Sequence, residues 1–258
     1  MITLTLLFNR PHTALPYTST LPVTLQNLVI VSGLIGFGGL LWLLWSQPRW
    51  LLSAYESVKP GVRFFVKTDE RIVALTIDDG PHIDNTPKIL EILAQTQSQA
   101  TFFLITNRVD GAEDLVTEIV RKGHEIGNHL TEDEPSIQLS PEDFEAKLVE
   151  AHQTLSKFAP MTWLRPGSGW YTAEMIAIAC QHHYQVALGS VFPYDTHAGS
   201  VWFASRFILA NIHPGSIIVL HDGERRGQRT AETLANVLPV LKQRGYRVVS
   251  LSELVNNH

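Results

Sequence analysis

The chain has 258 residues, 45% of them apolar and only 17% charged, with a formal net charge of -5. That length suits one large α/β domain with an appendage. The composition excludes a disordered tail, and the weak acidity supplies no field that would gather nucleic acid. Cys180 is the single cysteine, so no internal disulfide is possible. It lies in the apolar helical stretch Met175–Cys180 and is expected to be buried packing.

Taken in chain order, residues 1–27 form an N-terminal segment. No Asp, Glu, Lys or Arg lies between Arg10 and Arg49. Leu28 to Trp45 is almost wholly apolar, and as a helix it would be roughly 27 Å long, close to the hydrocarbon thickness. Residues 28–46 are therefore read as a transmembrane anchor or a signal. No Ala-x-Ala cleavage site follows, which favours the uncleaved anchor, with a buried soluble helix as the competing reading. Trp42, Trp45 and Trp50 suit an interfacial belt. Arg10 and the terminal amine stand on one side of the stretch, and Arg49, Lys59 and Arg63 on the other. Taken literally, that bias would leave the C-terminal domain in the cytoplasm. Residues 47–61 read as a linker and 62–258 as the main domain.

From Val62 onward strands and helices alternate. Strands are expected at Arg71–Ile77, Ala100–Ile105, His124–Asn128, Thr162–Arg165, Gln185–Gly189, Ser216–Leu220 and Arg247–Ser250. Helices are expected at Thr86–Thr96, Glu113–Lys122, Pro141–Phe158, Thr172–His182, Ser200–Ile212 and Thr230–Arg244. Ser140-Pro141-Glu142-Asp143 is a helix start and Arg244-Gly245 a helix stop. Short apolar strands between helices imply a parallel sheet covered by helices, open or closed into a barrel.

The informative polar residues follow the strands. Asp78 and Asp79 repel each other and are costly to bury, so a metal ion or a proton must relieve them. Alternation along a strand would point them different ways, one to bind a metal and one to handle a proton. The bland alternative is a polar turn, since Asp-Gly-Pro is turn chemistry. His129, Arg165, Asp195, His197, His221 and Asp222 also follow strands, and in α/β barrels the strand C-termini form one rim where sites are built. That coincidence favours a site over a turn. His129 and Asp133, four residues apart, have the chemistry to converge on one ion.

Thr76-Ile77-Asp78-Asp79-Gly80 resembles the first motif of the NodB-homology polysaccharide deacetylases, carbohydrate esterase family four. His124–Asp133 is similar to the second motif, Arg165-Pro166-Gly167-Ser168-Gly169 to the third, Val191–Asp195 to the fourth and Val219-Leu220-His221-Asp222 to the fifth. The resemblance covers about Val62 to Ser252 and implies a distorted (β/α) barrel, here preceded by one transmembrane helix. It implies that Asp79 and His129, with Asp133, bind a divalent metal, usually zinc. Asp78 would be the general base, held ionised and oriented by Arg165. His221 would be the general acid, paired with Asp195. Ser168, Gly169 and Leu220 are candidates for substrate contact, Trp170 and Tyr171 for an aromatic wall against a sugar face, and His197 for substrate contact or metal binding. The backbone N–H groups of Gly167-Ser168-Gly169 are candidates to stabilise an oxyanion.

The implied reaction is hydrolysis of N-acetyl groups on a glucosamine-type glycan, peptidoglycan or chitin-like, with release of acetate. The partners would be that glycan and, through the N-terminal helix, a membrane; nucleic acid is not among them. Because the substrates are mostly extracytoplasmic, the domain is expected outside the cytoplasm, anchored or secreted after cleavage, against the local charge bias. Three departures stand out. Asp133 occupies the place of a histidine, Gly167-Ser168 stands where Pro-Tyr is usual, and Thr196, with His197 beside it, stands where a Trp is usual. Two alternatives stay open: a non-catalytic glycan binder on the same fold, and a hydrolase of a non-glycan amide. His82, His152, His182, His183 and His213 are given no role, and Glu224-Arg225-Arg226 reads as a solvated loop.

Overall fold

The computed structural model describes residues 23–58, 61–197 and 199–256. Residues 1–22, with Arg10, and Lys59 lie outside the described residues. The chain forms two compact units, Met1–Leu44 and Trp45–His258. Helix α1 (Val23–Ser46) supplies the described part of the first. Among the described residues no single helix is long and apolar enough to cross a membrane; Ile30–Ser46 and Arg49–Val58 pass only as a bent pair.

The second unit is built on eight strands: β1 (Val62–Arg63), β2 (Ile72–Gly80), β3 (Thr101–Leu104), β4 (Glu125–Asn128), β5 (Trp163–Leu164), β6 (Gln185–Ala187), β7 (Ile217–His221) and β8 (Arg247–Val249). Their order is β1-β6-β5-β4-β3-β2-β7, with β8 also pairing β2. Every ladder is parallel. The expected barrel is thus a half-barrel of parallel strands. Two isolated bridges reach across its open side, Val191 to Ile218 and Phe65 to Ser216. Helices α3 (Thr86–Thr96), α4 (Glu113–Arg121), α5 (Pro141–Leu155), α6 (Ala173–Gln181), α7 (Val201–Asn211), α8 (Glu224–Gln243) and α9 (Leu251–Asn256) each follow a strand.

Strand alternation sorts the core into two layers. Ile72, Ala74, Phe103, Trp163, Ala187 and Ile217 fill the concave side of the sheet. Val73, Leu75, Ile77, Phe102, Ile218 and Leu220 pack outward against Ile89, Phe207, Leu234 and their helical neighbours. Central β2 is buried at all nine positions, as a strand covered on both faces must be.

The local signals account for the helix boundaries. Ser140 caps α5 by accepting a hydrogen bond from the Asp143 N–H at 3.1 Å, with Pro141 in the first turn. Gly245, at φ +80, ends the chain's run out of α8.

Four expectations are corrected. The linker 47–61 contains a ten-residue helix, α2 (Arg49–Val58), which belongs to the second unit. β1 and α9 add elements too short to carry a period. Glu224-Arg225-Arg226 is the first turn of α8 rather than a loop. Cys180 is exposed, because α6 buries Met175, Ile178 and Ala179 instead.

Candidate active site

The register of β2 against β7 pairs Ile77 with Leu220 and Asp78 with His221. Paired residues of parallel strands point to the same face, so Asp78 and His221 share the concave rim. Leu220 therefore goes the other way, fully buried under the helices, and cannot contact substrate as expected.

The alternation expected of Asp78 and Asp79 breaks at a register shift between Asp78 and Gly80. Asp79 sits there at φ +66, a left-handed conformation that Asp tolerates better than most residues. The bulge adds a residue, so both carboxylates join one buried cluster with different partners.

Asp78 accepts a hydrogen bond through Oδ1 from Arg165 Nη1 at 2.5 Å. The same Nη1 donates to Thr76 Oγ1 at 2.7 Å, and Arg165 Nε donates to the Ala187 carbonyl at 2.8 Å. The guanidinium also lies over the Phe103 ring, 4.2 Å from its centroid and well inside the roughly 6 Å reach of a cation–π contact. Arg165 is thus locked and supplies the counter-charge of Asp78. Asp78 Oδ2 lies 4.0 Å from His221 Nε2.

His221 is held from behind. Its Nδ1 is 3.0 Å from Asp195 Oδ2, and its backbone N–H donates to the same oxygen at 3.1 Å. Burial alone would lower the imidazole pKa. The Asp195 charge and hydrogen bond, helped by Asp78 and Asp79, outweigh burial and push it up to about 9.

The second carboxylate faces His129. Asp79 Oδ1 lies 3.4 Å from His129 Nε2. His129 Nδ1 is 2.6 Å from the Arg165 carbonyl, which can only accept, so this nitrogen carries a proton and Nε2 is the one that faces Asp79; burial works against charging the ring, but the hydrogen bond and charge of Asp79, with Asp78, raise its pKa. Burial opposes ionisation of Asp79, yet His129, His221 and Arg226 together hold its carboxyl well below the usual range.

The donor pair fits a divalent metal. Two ligand atoms, each about 2.0–2.1 Å from a tetrahedral zinc, lie roughly 3.4 Å apart, as these do, and with Nδ1 bound to a carbonyl it is Nε2 that would face the ion once its proton is displaced. Asp133 does not complete the set. Its carboxylate pairs with Arg108 Nη2 at 2.9 Å and is half exposed. Among the described residues no group of three His, Cys, Asp or Glu side chains is placed to hold a metal. The physical reason is Arg108, whose other amino group donates to the Asp79 carbonyl and so draws Asp133 to itself.

Arg226 was hidden in what read as a loop. From the first turn of α8 it donates to Asp79 Oδ2 at 2.8 Å. One carboxylate oxygen is thereby neutralised and Oδ1 is left for a metal. Arg226→Ala should tighten metal binding about tenfold, because a nearby cation repels the ion. Chelator competition would measure it; unchanged or weaker binding would refute the assignment.

The remaining expected residues divide. Gly167 N–H donates to Ser136 Oγ at 2.7 Å and Gly169 N–H to the Pro166 carbonyl at 3.0 Å. Of the three amides proposed for an oxyanion, Ser168's is left as the candidate; Ser168 takes φ +59. Trp170 is exposed, and Tyr171 is hydrogen-bonded to Tyr55 at 3.2 Å. His197 is exposed on its loop and bonded to Thr196 Oγ1 at 2.7 Å, so it does not join the cluster. Asp222, fully buried, accepts from Thr86 Oγ1, and its N–H donates to the Asp78 carbonyl at 2.7 Å. Burial pushes its pKa up to about 6. It is a positioning residue beneath the carboxylate pair, and its place beside His221 was the sequence signal for it.

A carboxylate and a charged imidazole facing each other at the strand ends, beside an Asp–His donor pair, define an acid–base site on an α/β half-barrel. Residues 65–187 match the family model for polysaccharide deacetylases. The chain is 34% identical over 197 residues to a peptidoglycan-N-acetylglucosamine deacetylase of Bacillus cereus, covering 75% of this chain and 92% of that one. A crystal structure of the Bc1960 peptidoglycan N-acetylglucosamine deacetylase, in complex with an N-oxidanyl-benzamide, superposes with TM-score 0.73 and 28% identity over 77% of this chain and 94% of that one. BA3943 of Bacillus anthracis, described as a CE4 family pseudoenzyme, superposes with TM-score 0.70 and 26% identity over 77% of this chain and 70% of that one. The chain belongs to the polysaccharide deacetylase family.

Proposed function

We propose that the chain removes N-acetyl groups from a glucosamine-type glycan, peptidoglycan first among them, in a metal-dependent hydrolysis that releases acetate. The observation that carries this reading is the Asp78–His221 pair, base and acid on adjacent strands with 4.0 Å between Oδ2 and Nε2. The relatives' activity on N-acetylglucosamine supports the substrate class.

An amide resists hydrolysis because its carbonyl is a poor electrophile and its amine a poor leaving group. Asp79 Oδ1 and His129 Nε2 would hold the metal. When bound, it would polarise the acetyl carbonyl and make water more acidic. Asp78 Oδ2 takes a proton from the attacking water, while Arg165 fixes the other oxygen and keeps the base pointed inward. The Ser168 N–H is placed in the loop that can receive developing negative charge. His221 Nε2 gives its proton to the departing amine nitrogen, and Asp195 steadies the charged imidazole before that transfer. The buried walls, with Phe103 and Thr76, keep bulk water from both proton-transfer groups.

A second reading is favoured by one observation. Arg108 pairs with Asp133 and Arg226 with Asp79, so each of these carboxylates has a cationic side chain as partner. On that reading the chain binds glycan without turnover. Acetate and free amine released from N-acetylglucosamine oligomers and muropeptides, measured beside the metal content of Asp79→Ala and His129→Ala, separate the two. Loss of metal and of acetate in both variants is expected; glycan binding without acetate from the metal-loaded wild type would favour the second.

For location, we propose an extracytoplasmic domain held by the apolar N-terminal stretch. The position of the polymer supports this more than the small charge bias opposes it. Protease shaving of intact cells tests it, and full protection of residues 62–258 would reverse the placement.

A further inference from the structure

Helix α2 is amphipathic in the unusual sense. Its two charged side chains face the protein, with Leu52 packed against the core beside them, while Ser57 is exposed. Arg49 donates to the Pro214 carbonyl at 2.9 Å and the Val66 carbonyl at 3.1 Å, and its guanidinium lies 4.0 Å from the Phe65 ring centre. Glu56 accepts the Phe64 N–H at 3.0 Å. Tyr55 is bound edge-on to Phe64 and through its hydroxyl to Tyr171.

Apart from Leu52, the apolar residues are turned outward. Trp50 is 63% exposed, Leu51 44% and Val58 77%, and Ala54 is exposed between them. Positions 50, 51, 54 and 58 lie on one helical face. A folded domain does not ordinarily turn a Trp–Leu–Val face to water while spending its polar residues on the interior contact.

Sequence continuity argues for the occupant of that face. The charge-free stretch from residue 11 to residue 48 ends immediately before α2. Trp45, within the second unit, stacks edge-on against Phe203 and Phe207 of α7, and Trp202 on that helix is exposed. Tryptophan is the residue of the lipid–water boundary. We propose that α2 is an interfacial helix that seats the catalytic unit on a lipid bilayer, with Trp50, Leu51, Ala54 and Val58 at headgroup level. This rests on the reading of the preceding stretch as a membrane anchor, and adds that the domain is docked to the bilayer rather than tethered above it.

The seat reaches the site. Gln47, one residue before Pro48, donates to the Phe192 carbonyl at 2.8 Å and accepts the Phe192 N–H at 2.9 Å. The Phe192 ring lies edge-on to His221, with centroids 5.8 Å apart. The juxtamembrane segment therefore holds the loop that carries Asp195 to the catalytic imidazole.

The test uses the full chain with Cys180→Ser as background. Val58→Cys and, separately, the exposed Asp110→Cys are labelled with an environment-sensitive fluorophore and reconstituted in phosphatidylcholine–phosphatidylglycerol vesicles carrying spin-labelled lipid. Alkaline carbonate extraction of the same vesicles reports the anchor independently. Blue-shifted emission quenched by labelled lipid at position 58, but not at 110, is expected. Retention after extraction with water-like emission at 58 would overturn the seat and leave the anchor standing. Release with quenching intact would support the seat and reject the anchor; release without quenching would overturn both. A blue shift that grows with protein concentration, without lipid quenching, would make the face a contact between copies and overturn the proposal.

Discussion

Asp78→Asn is expected to lower kcat about a thousandfold, the usual scale for removing a general base, while the purified protein keeps its metal. The amide still offers an oxygen to Arg165 Nη1, which now donates at 2.5 Å to a carboxylate, but it cannot take a proton. Asp79 and His129 are untouched, so metal content should match the wild type. Removing the charge also leaves Arg165 buried without its counter-ion, a change that costs about 3–5 kcal/mol when a buried pair is broken. Urea unfolding must therefore accompany the kinetics. A folded, metal-loaded variant that retains wild-type kcat would remove Asp78 from the role of base.

Asp195→Asn should move the alkaline limb of the activity profile. In the wild type, burial works against the charged imidazole and Asp195 overcomes it, so His221 titrates at about 9. Without that charge, burial is opposed only by Asp78 and Asp79, and the limb should fall toward the ordinary imidazole value of about 6.5. At about pH 8 the protonated fraction then drops roughly thirtyfold, while activity on the acid side of the limb is largely kept. A limb that stays near 9 would mean the charge on His221 is set elsewhere. Stability carries the same sign. A histidine whose folded pKa lies above its unfolded one stabilises fully below about pH 6.5, and loses that contribution as pH rises through the folded value. The variant should lose this dependence between about 6.5 and 9.

Much of this site could be read before any coordinates. Asp78, Arg165, Asp195 and His221 each end or follow an apolar strand, and parallel strands deliver their C-terminal ends to one rim. What the residues could not convey was the register. A period of two assumes an unbroken strand, and the bulge at Asp79 broke it, bringing together two carboxylates that alternation separates. The same period, correctly applied along β7, would have turned Leu220 away from the substrate. Arg226 escaped because Glu-Arg-Arg carries no apolar repeat, although α8 begins there with an acid in its first turn. α2 escaped for the opposite reason. Its apolar residues other than Leu52 face outward, so nothing in the pattern separated it from the apolar stretch before it. Asp133 shows the limit of spacing: four residues from His129, it still answers to Arg108 from another loop.

The account stands most directly on the metal dependence of acetate release. The wild-type chain, stripped with a chelator and assayed on N-acetylglucosamine oligomers, should release no acetate above background, and stoichiometric zinc or another divalent ion should restore turnover. Restoration should be lost in Asp79→Ala and His129→Ala and kept in Asp133→Ala. Undiminished acetate release from the metal-free protein, or metal-restored turnover that is indifferent to Asp79 and His129, would contradict it.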